Sequence, residues 1–346
     1  MGKPEIRYEL DEKPEQGKSI EIVPGVHWLR MPLPFSLKHI NLWLLADGDG
    51  WIIVDTGLGD DTSVAIWQRT FSGVMRKTPV NHVIVTHMHP DHVGCAGWLC
   101  ERFDVDLWMT RAEYAMCRLL VADTGRPAPK VGVNFYKSAG YPADMLDNYR
   151  KIFGLFGKFV TPLPDAYRRL YDGLRGPVGD QEWEVIVGRG HSPEHACFFN
   201  EDANLLISGD QVLPTISSNV SVYPTEPEAN PLKDWLESLA NIRDRIPGDV
   251  LVLPAHGKPF RGAHERIDRL ISDHKTQLDV LRDYCAEPRR AVDVFPALYR
   301  RKISSDNLMF ATGEAIAHLH YLMDKNEILA ERDADDVIWY RQNQAQ

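Results

Sequence analysis

The sequence predicts an α/β chain, either a plain alternation of strands and helices or a layered arrangement of helix, sheet, sheet and helix. Three observations carry this reading: short β-rich runs recur along residues 20–253, helical stretches alternate with them, and the runs stop at an Asp, a His or a glycine-rich turn. At roughly 150 residues per domain, 346 residues hold one large domain with an appendage, or two ordinary domains. Hydrophobic residues make up 44% and charged residues 25%, a globular composition. No segment has the roughly 18 uninterrupted apolar residues of a membrane span, so no membrane partner is expected. The formal charge of −10 gives nucleic acid no general attraction and disfavours it as a partner.

The elements follow in order. Residues 1–19 form a polar leader without the apolar stretch of a signal peptide, so a cytoplasmic location is expected. Cys95, Cys100, Cys117, Cys197 and Cys285 are an odd, sparse set that reads as free thiols in a reducing compartment. Residues 20–30 and 39–45 are β-rich, and 51–54 is an apolar strand stopping at Asp55-Thr56-Gly57. Residues 64–69 and 112–121 have helical character, while 80–85 is a buried strand ending at a histidine cluster. From about 125 to 180 prolines, glycines, aromatics and basic residues take over. A helical insertion is expected there, either a decoration with its own small core or a cover over substrate. Strands return at 183–187, 196–199, 205–208 and 250–253, which closes a layered domain spanning 20–265. Residues 266–346 read as a small helical, winged-helix-like module. It has helices at 267–284, 291–300 and 311–323, then a hairpin formed by 327–332 and 337–340. Acidic residues at the hairpin favour packing or dimerisation over DNA binding, and the exposed faces of the tail helices suit a homodimer.

The strongest chemical signal is Thr86-His87-Met88-His89-Pro90-Asp91-His92, directly after a strand. A loop leaving a strand lets His87 and His89 aim two imidazoles at one point while Asp91 and His92 approach a second. His191 in Gly190-His191-Ser192, Asp210 in Ser208-Gly209-Asp210 and His256 in Pro254-Ala255-His256-Gly257 each follow an apolar run and complete donors for two metals. His195 and Glu194 stay outside that set, His195 reading as a structural imidazole. Cys95 reads as a small residue packed at a helix start. His318 and His320, two apart on one helix, point to different faces and make no second metal site.

This order of motifs resembles the metallo-β-lactamase superfamily over residues 20–265. The resemblance implies a four-layer αββα sandwich with a binuclear metal site at one edge of its sheets. By it, His87, His89 and His191 would hold the first metal, Asp91, His92 and His256 the second, and Asp210 would bridge them. Asp55 would be the aspartate behind the ligands that orients the histidine loop. An Asp rather than a Cys at position 210 is similar to the glyoxalase II-like hydrolases, not to the antibiotic-destroying lactamases. Arg189 stands where proline is often found in the family.

The resemblance therefore implies a hydrolase with two Zn²⁺, Fe or Mn being accepted by the same donors according to supply. A metal-bridging hydroxide would attack a small thioester, ester or lactone, with Asp91 as the catalytic residue holding the water. Two Zn²⁺ against Asp91, Asp210 and the hydroxide leave about one positive charge, which favours a small-molecule substrate with an anionic group. Arg189, Asn219 and Tyr223 lie near ligand-bearing loops in sequence and are candidate substrate contacts. Two other readings compete. A phosphodiesterase or ribonuclease of the same fold draws on the tail module but is weakened by the negative charge. A non-haem iron dioxygenase uses one metal and would leave the second donor set idle.

Overall fold

The computed structural model describes residues 6–35 and 37–344; the first five residues of the polar leader lie outside the described residues. Two seven-stranded sheets face each other. The first runs in the order Ile20–Val23, Val26–Pro32, His39–Asp47, Gly50–Val54, Val80–Ile84, Leu107–Thr110, Arg168–Leu170. The second runs Arg7–Tyr8, Phe260–Arg261, Leu251–Pro254, Leu205–Gly209, His195–Asn200, Gln181–Gly188, Arg175–Val178.

Side-chain alternation assigns each strand residue to a layer. In His39–Asp47, Trp43 and Leu45 enter the core between the sheets, while Ile40, Leu42 and Leu44 pack outward beneath helices. Gly50–Val54 divides likewise, with Ile52 and Val54 between the sheets and Ile53 outside. Phe198, Ile207 and Leu253 answer them from the second sheet. Both faces of the central strands are buried, which is why they read as continuous apolar runs. Helices Asp61–Ser72, Ala96–Phe103 and Arg111–Ala122 cover the first sheet, and Pro231–Arg245, Ala263–Tyr284 and Leu308–Asp324 the second. The four-layer sandwich expected from the sequence is therefore present.

The C-terminal helices and the hairpin Ile328–Arg332 with Ile338–Gln342 join the core over the second sheet. Trp235, Leu239, Ile267, Ala315, Leu319, Ile328 and Tyr340 belong to one apolar cluster. Residue 265, the expected division, falls in the first turn of Ala263–Tyr284.

Several elements differ from expectation. Helices in the 125–180 stretch occupy Lys130–Ser138 and Ala143–Ile152, with a 3₁₀ turn at Phe156–Phe159. The last third of the stretch supplies an edge strand to each sheet, Arg168–Leu170 and Arg175–Val178. The leader adds Arg7–Tyr8 to Phe260–Arg261. The expected helix at 291–300 is a short 3₁₀ turn, Ala291–Val294, followed by one turn, Phe295–Leu298, around Pro296. Helix Pro231–Arg245 had no expectation; the Asn230 side chain accepts the Lys233 N–H and Pro231 opens its first turn.

The topology places the chemistry. Gly50–Val54, Val80–Ile84 and Leu107–Thr110 are parallel, as are Leu205–Gly209 and Leu251–Pro254. Asp55, the Thr86-His87 loop, Asp210 and His256 thus leave the carboxyl ends of strands, where open α/β sheets hold ligands. Phe198 is fully buried between the sheets, so Phe198→Ala is expected to destabilise the fold by about 3–5 kcal/mol, read as a lowered urea midpoint with an unchanged slope.

Candidate metal centre

Asp55 begins the construction. It has a left-handed backbone, φ 61°, a conformation that costs of order 1–3 kcal/mol outside glycine and persists where surroundings enforce it. Its carboxylate accepts the Thr86 N–H at 2.8 Å, the Thr86 hydroxyl at 2.9 Å, and the His92 Nδ1–H at 2.8 Å. The His92 carbonyl accepts from the Thr56 N–H and hydroxyl, which fixes that residue's backbone too.

Around this anchor the predicted residues converge. His87, His89, His191 and Asp210 each offer a donor atom within 4.8 Å of the others, and Asp91, His92 and His256 form a second such group. His87 Nε2 lies 2.8 Å from His89 Nδ1 and 3.3 Å from His191 Nε2. Asp210 is shared: Oδ2 is 3.4 Å from His191 Nε2, while Oδ1 is 3.7 Å from His92 Nε2 and 3.4 Å from His256 Nε2. Asp91 Oδ2 completes the second group, 3.5 Å from His256 Nε2 and 3.9 Å from His92 Nε2.

Hydrogen bonds set the imidazole tautomers. His191 Nδ1–H donates to the Asn219 carbonyl at 2.8 Å and His256 Nδ1–H to the His39 carbonyl at 2.7 Å, as His92 does to Asp55. With Nδ1 committed in this way, Nε2 is the atom each ring turns into the cluster. His92 Nε2, His256 Nε2 and Asp210 Oδ1 are buried with no hydrogen-bond partner. Left so, each would cost about 1–3 kcal/mol, and a cation between them removes that cost. Charge points the same way. Burial opposes a proton on His92, yet the carboxylates of Asp55, Asp91 and Asp210 outweigh it and raise that pKa well above the ordinary value. Burial also opposes ionisation of Asp210, but the His256 and His92 imidazoles hold its carboxyl well below the usual range. Burial, then the neighbouring imidazoles, keep His87 and His89 neutral and ready to bind a metal. The donor set fits divalent metal ions.

Residues outside the donor set hold it in place, and one of them, Glu113, has no place in the sequence analysis. Buried Glu113 accepts the Met88 N–H at 2.9 Å and the Glu194 N–H at 2.7 Å, tying the histidine loop to the His191 loop. A Glu on the same buried stripe as Cys117 was the signal available for it. Glu194 itself accepts the Ala112 N–H at the start of that helix. His195 Nε2 accepts the Asp210 N–H at 3.1 Å, and Gly209 makes room: a Cβ there would meet the His195 ring at 2.5 Å. Cys95 is buried at a helix start, as expected.

The C-terminal helix Leu308–Asp324 reaches the same loop. Ser218 donates to the Asp210 carbonyl. The Asn219 amide meets Glu314 Oε2 at 3.4 Å, and Tyr299 donates to that oxygen at 2.9 Å. His318 Nδ1–H donates to the Glu314 carbonyl at 2.8 Å; its Nε2 meets His274 Nδ1 at 3.2 Å, and His274 Nε2 meets Ser217 Oγ at 3.1 Å. His320 turns elsewhere, to the Ala229 carbonyl. Of the three candidate substrate contacts, Arg189 is exposed and interacts with Asp234, Asn219 directs its amide to Glu314, and Tyr223 bonds Ser221. Of these three described residues, only Asn219 touches a donor, and it does so with its backbone carbonyl, which accepts from His191 Nδ1–H.

Residues 37–257 match the family model described as the Metallo-beta-lactamase superfamily, and 278–343 match the Metallo-beta-lactamase-like C-terminal domain. A beta-lactamase domain protein from Burkholderia ambifaria is 42% identical, with TM-score 0.90, covering 98% of each chain. A probable metallo-hydrolase of Bacillus subtilis is 23% identical over 89% of this chain and 95% of its own length. An atrochrysone carboxyl ACP thioesterase of Aspergillus fumigatus is 24% identical over 68% of this chain and 41% of its own.

Glu314 yields a pH prediction. Burial raises its carboxyl from 4.5 to about 7, against the hydrogen bonds from Tyr299 and Asn219. Its contribution is complete below pH 4.5 and is lost as pH rises through about 7. The stability of Glu314→Gln relative to the parent should therefore climb between about pH 4.5 and 7, by up to about 1.4 kcal/mol per unit, and level off above that, in parallel urea titrations.

Proposed function

The chain belongs to the metallo-β-lactamase superfamily and is a metallo-hydrolase of it, and from that premise we propose that it uses two divalent metal ions to hydrolyse a small thioester, ester or lactone. The observation that carries the reading is the split of Asp210, one carboxylate oxygen toward His191 and the other toward His92 and His256. His87, His89 and His191 would hold one ion, Asp91, His92 and His256 the other, with Asp210 between. Zinc suits these nitrogen and oxygen donors, and iron or manganese is accepted by the same set. When bound, the metals supply an acidified water and a Lewis acid for the substrate's carbonyl oxygen.

The protein's own groups do the rest. His89 and Asp91 are half-buried whereas the other five donors are buried, so the cluster opens on their side. Asp91 there accepts the water's proton as the new C–O bond forms. The bond to sulfur or oxygen then breaks, its electron pair leaving with that atom. Asp55 and Glu113 keep the histidine loop fixed throughout. Two divalent ions against the charges of Asp91 and Asp210 leave the site positive, which favours a substrate with an anionic group. The thioesterase among the relatives supports the thioester class. Five buried, unbridged cysteines support a reducing, cytoplasmic location. No helix among the described residues is long and apolar enough to cross a membrane.

Turnover of an acyl-thioester panel beside a phosphodiester, by zinc-loaded protein, tests the proposal. Thioester hydrolysis that falls at least about 10²-fold in Asp91→Asn is expected. Phosphodiester turnover alone would replace it with the nuclease reading.

A further inference from the structure

A cleft of about 850 Å³ lies where the helical stretch around Tyr141 meets the C-terminal segment, a volume typical of small-molecule sites. Its floor is apolar, with Tyr141, Met145, Phe295, Ile303 and Leu308. Its rim is cationic. Two of the basic side chains there are already engaged, Arg290 by Asp293 at 2.8 Å and Lys137 by the field of Asp333. Arg300, Arg301 and Lys302 are exposed, consecutive, and without a carboxylate partner among the described residues. Three cations with no carboxylate partner among the described residues, beside an apolar trough on a chain of net charge −10, form a local attractor for an amphipathic anion. The cleft is linked to the metal centre through a chain of hydrogen bonds. Tyr299 in its wall bonds Glu314, Glu314 meets Asn219, and the Asn219 carbonyl holds His191.

We propose that this cleft binds the phosphate-bearing thiol arm of an acyl-thioester substrate. The aliphatic part of the arm lies on the apolar floor, and its phosphates pair with Arg300, Arg301 and Lys302. Arginine forks match phosphate oxygens, and the trough removes the arm's hydrocarbon from water. Binding energy far from the scissile bond thereby selects the substrate, which an open metal site does not do alone. The inference rests on the thioester reading above and gives it a substrate class.

The test uses the full metal-loaded chain and the triple variant Arg300→Ala, Arg301→Ala, Lys302→Ala, whose positions are exposed and leave the core intact. Two substrates are compared, octanoyl-coenzyme A and the phosphate-free S-octanoyl-N-acetylcysteamine. Binding of a non-hydrolysable octyl thioether of coenzyme A is measured by calorimetry at two salt concentrations. The triple variant should raise KM for the coenzyme A ester at least tenfold with kcat within twofold, and leave the phosphate-free ester unchanged. Thioether affinity should fall by the same factor, and the parent's affinity should weaken with salt. Unchanged KM and thioether affinity would overturn the proposal. A variant that keeps thioether binding but loses binding of a single-stranded RNA oligonucleotide would overturn it in favour of a nucleic-acid groove. Should the parent hydrolyse neither ester, the hydrolase reading fails; thioether binding that still depends on the three cations would then uphold the cleft by itself.

Discussion

Three carboxylates, Asp55, Asp91 and Asp210, share one pocket with the imidazoles of His87, His89, His92, His191 and His256, and that negative charge has to be balanced in a site that is mostly buried. A single proton on His92 answers only part of it. Divalent cations answer it with donors already desolvated and aimed, so the ordering cost is met by folding rather than by binding. Much else in the molecule follows from this constraint. The left-handed turn at Asp55, the glycine at 209 and the buried Glu113 each cost something locally, and each places or frees a donor of the cluster.

The sandwich is suited to that task because its parallel strands end on one side. Donors from four separate segments reach one point without long loops, and the sheets behind them are close-packed from Trp43 to Phe198. The C-terminal helices are not a detached appendage in this arrangement. Leu308–Asp324 shares a core with Pro231–Arg245, and through Glu314, Asn219 and Ser218 it supports the loop that orients His191 and Asp210. Occupancy of the neighbouring cleft and order at the metal centre are therefore connected by named hydrogen bonds.

The donors were legible in the sequence because they sit in short segments just after apolar runs, and histidines and aspartates at such positions have few structural explanations. The layer order was legible for the same reason, from strands buried on both faces. Positions that depend on tertiary pairing were not. Glu113 is an ordinary helical Glu until the His191 loop is folded against it. Arg168–Leu170 and Arg175–Val178 become strands only because the sheets present free edges. Arg189, Asn219 and Tyr223 were near the ligands in sequence, yet the fold turns their side chains to Asp234, Glu314 and Ser221.

The central claim is that Asp210 serves two ions at once, and native mass spectrometry of the full chain titrated with Zn²⁺, Fe²⁺ and Mn²⁺ tests it directly. The account predicts that at least one of these metals reaches two equivalents per chain, and that Asp210→Asn lowers both the stoichiometry and the affinity of what remains. A parent that saturates at one equivalent with every metal, or an Asp210→Asn variant that still binds two with undiminished affinity, would contradict it.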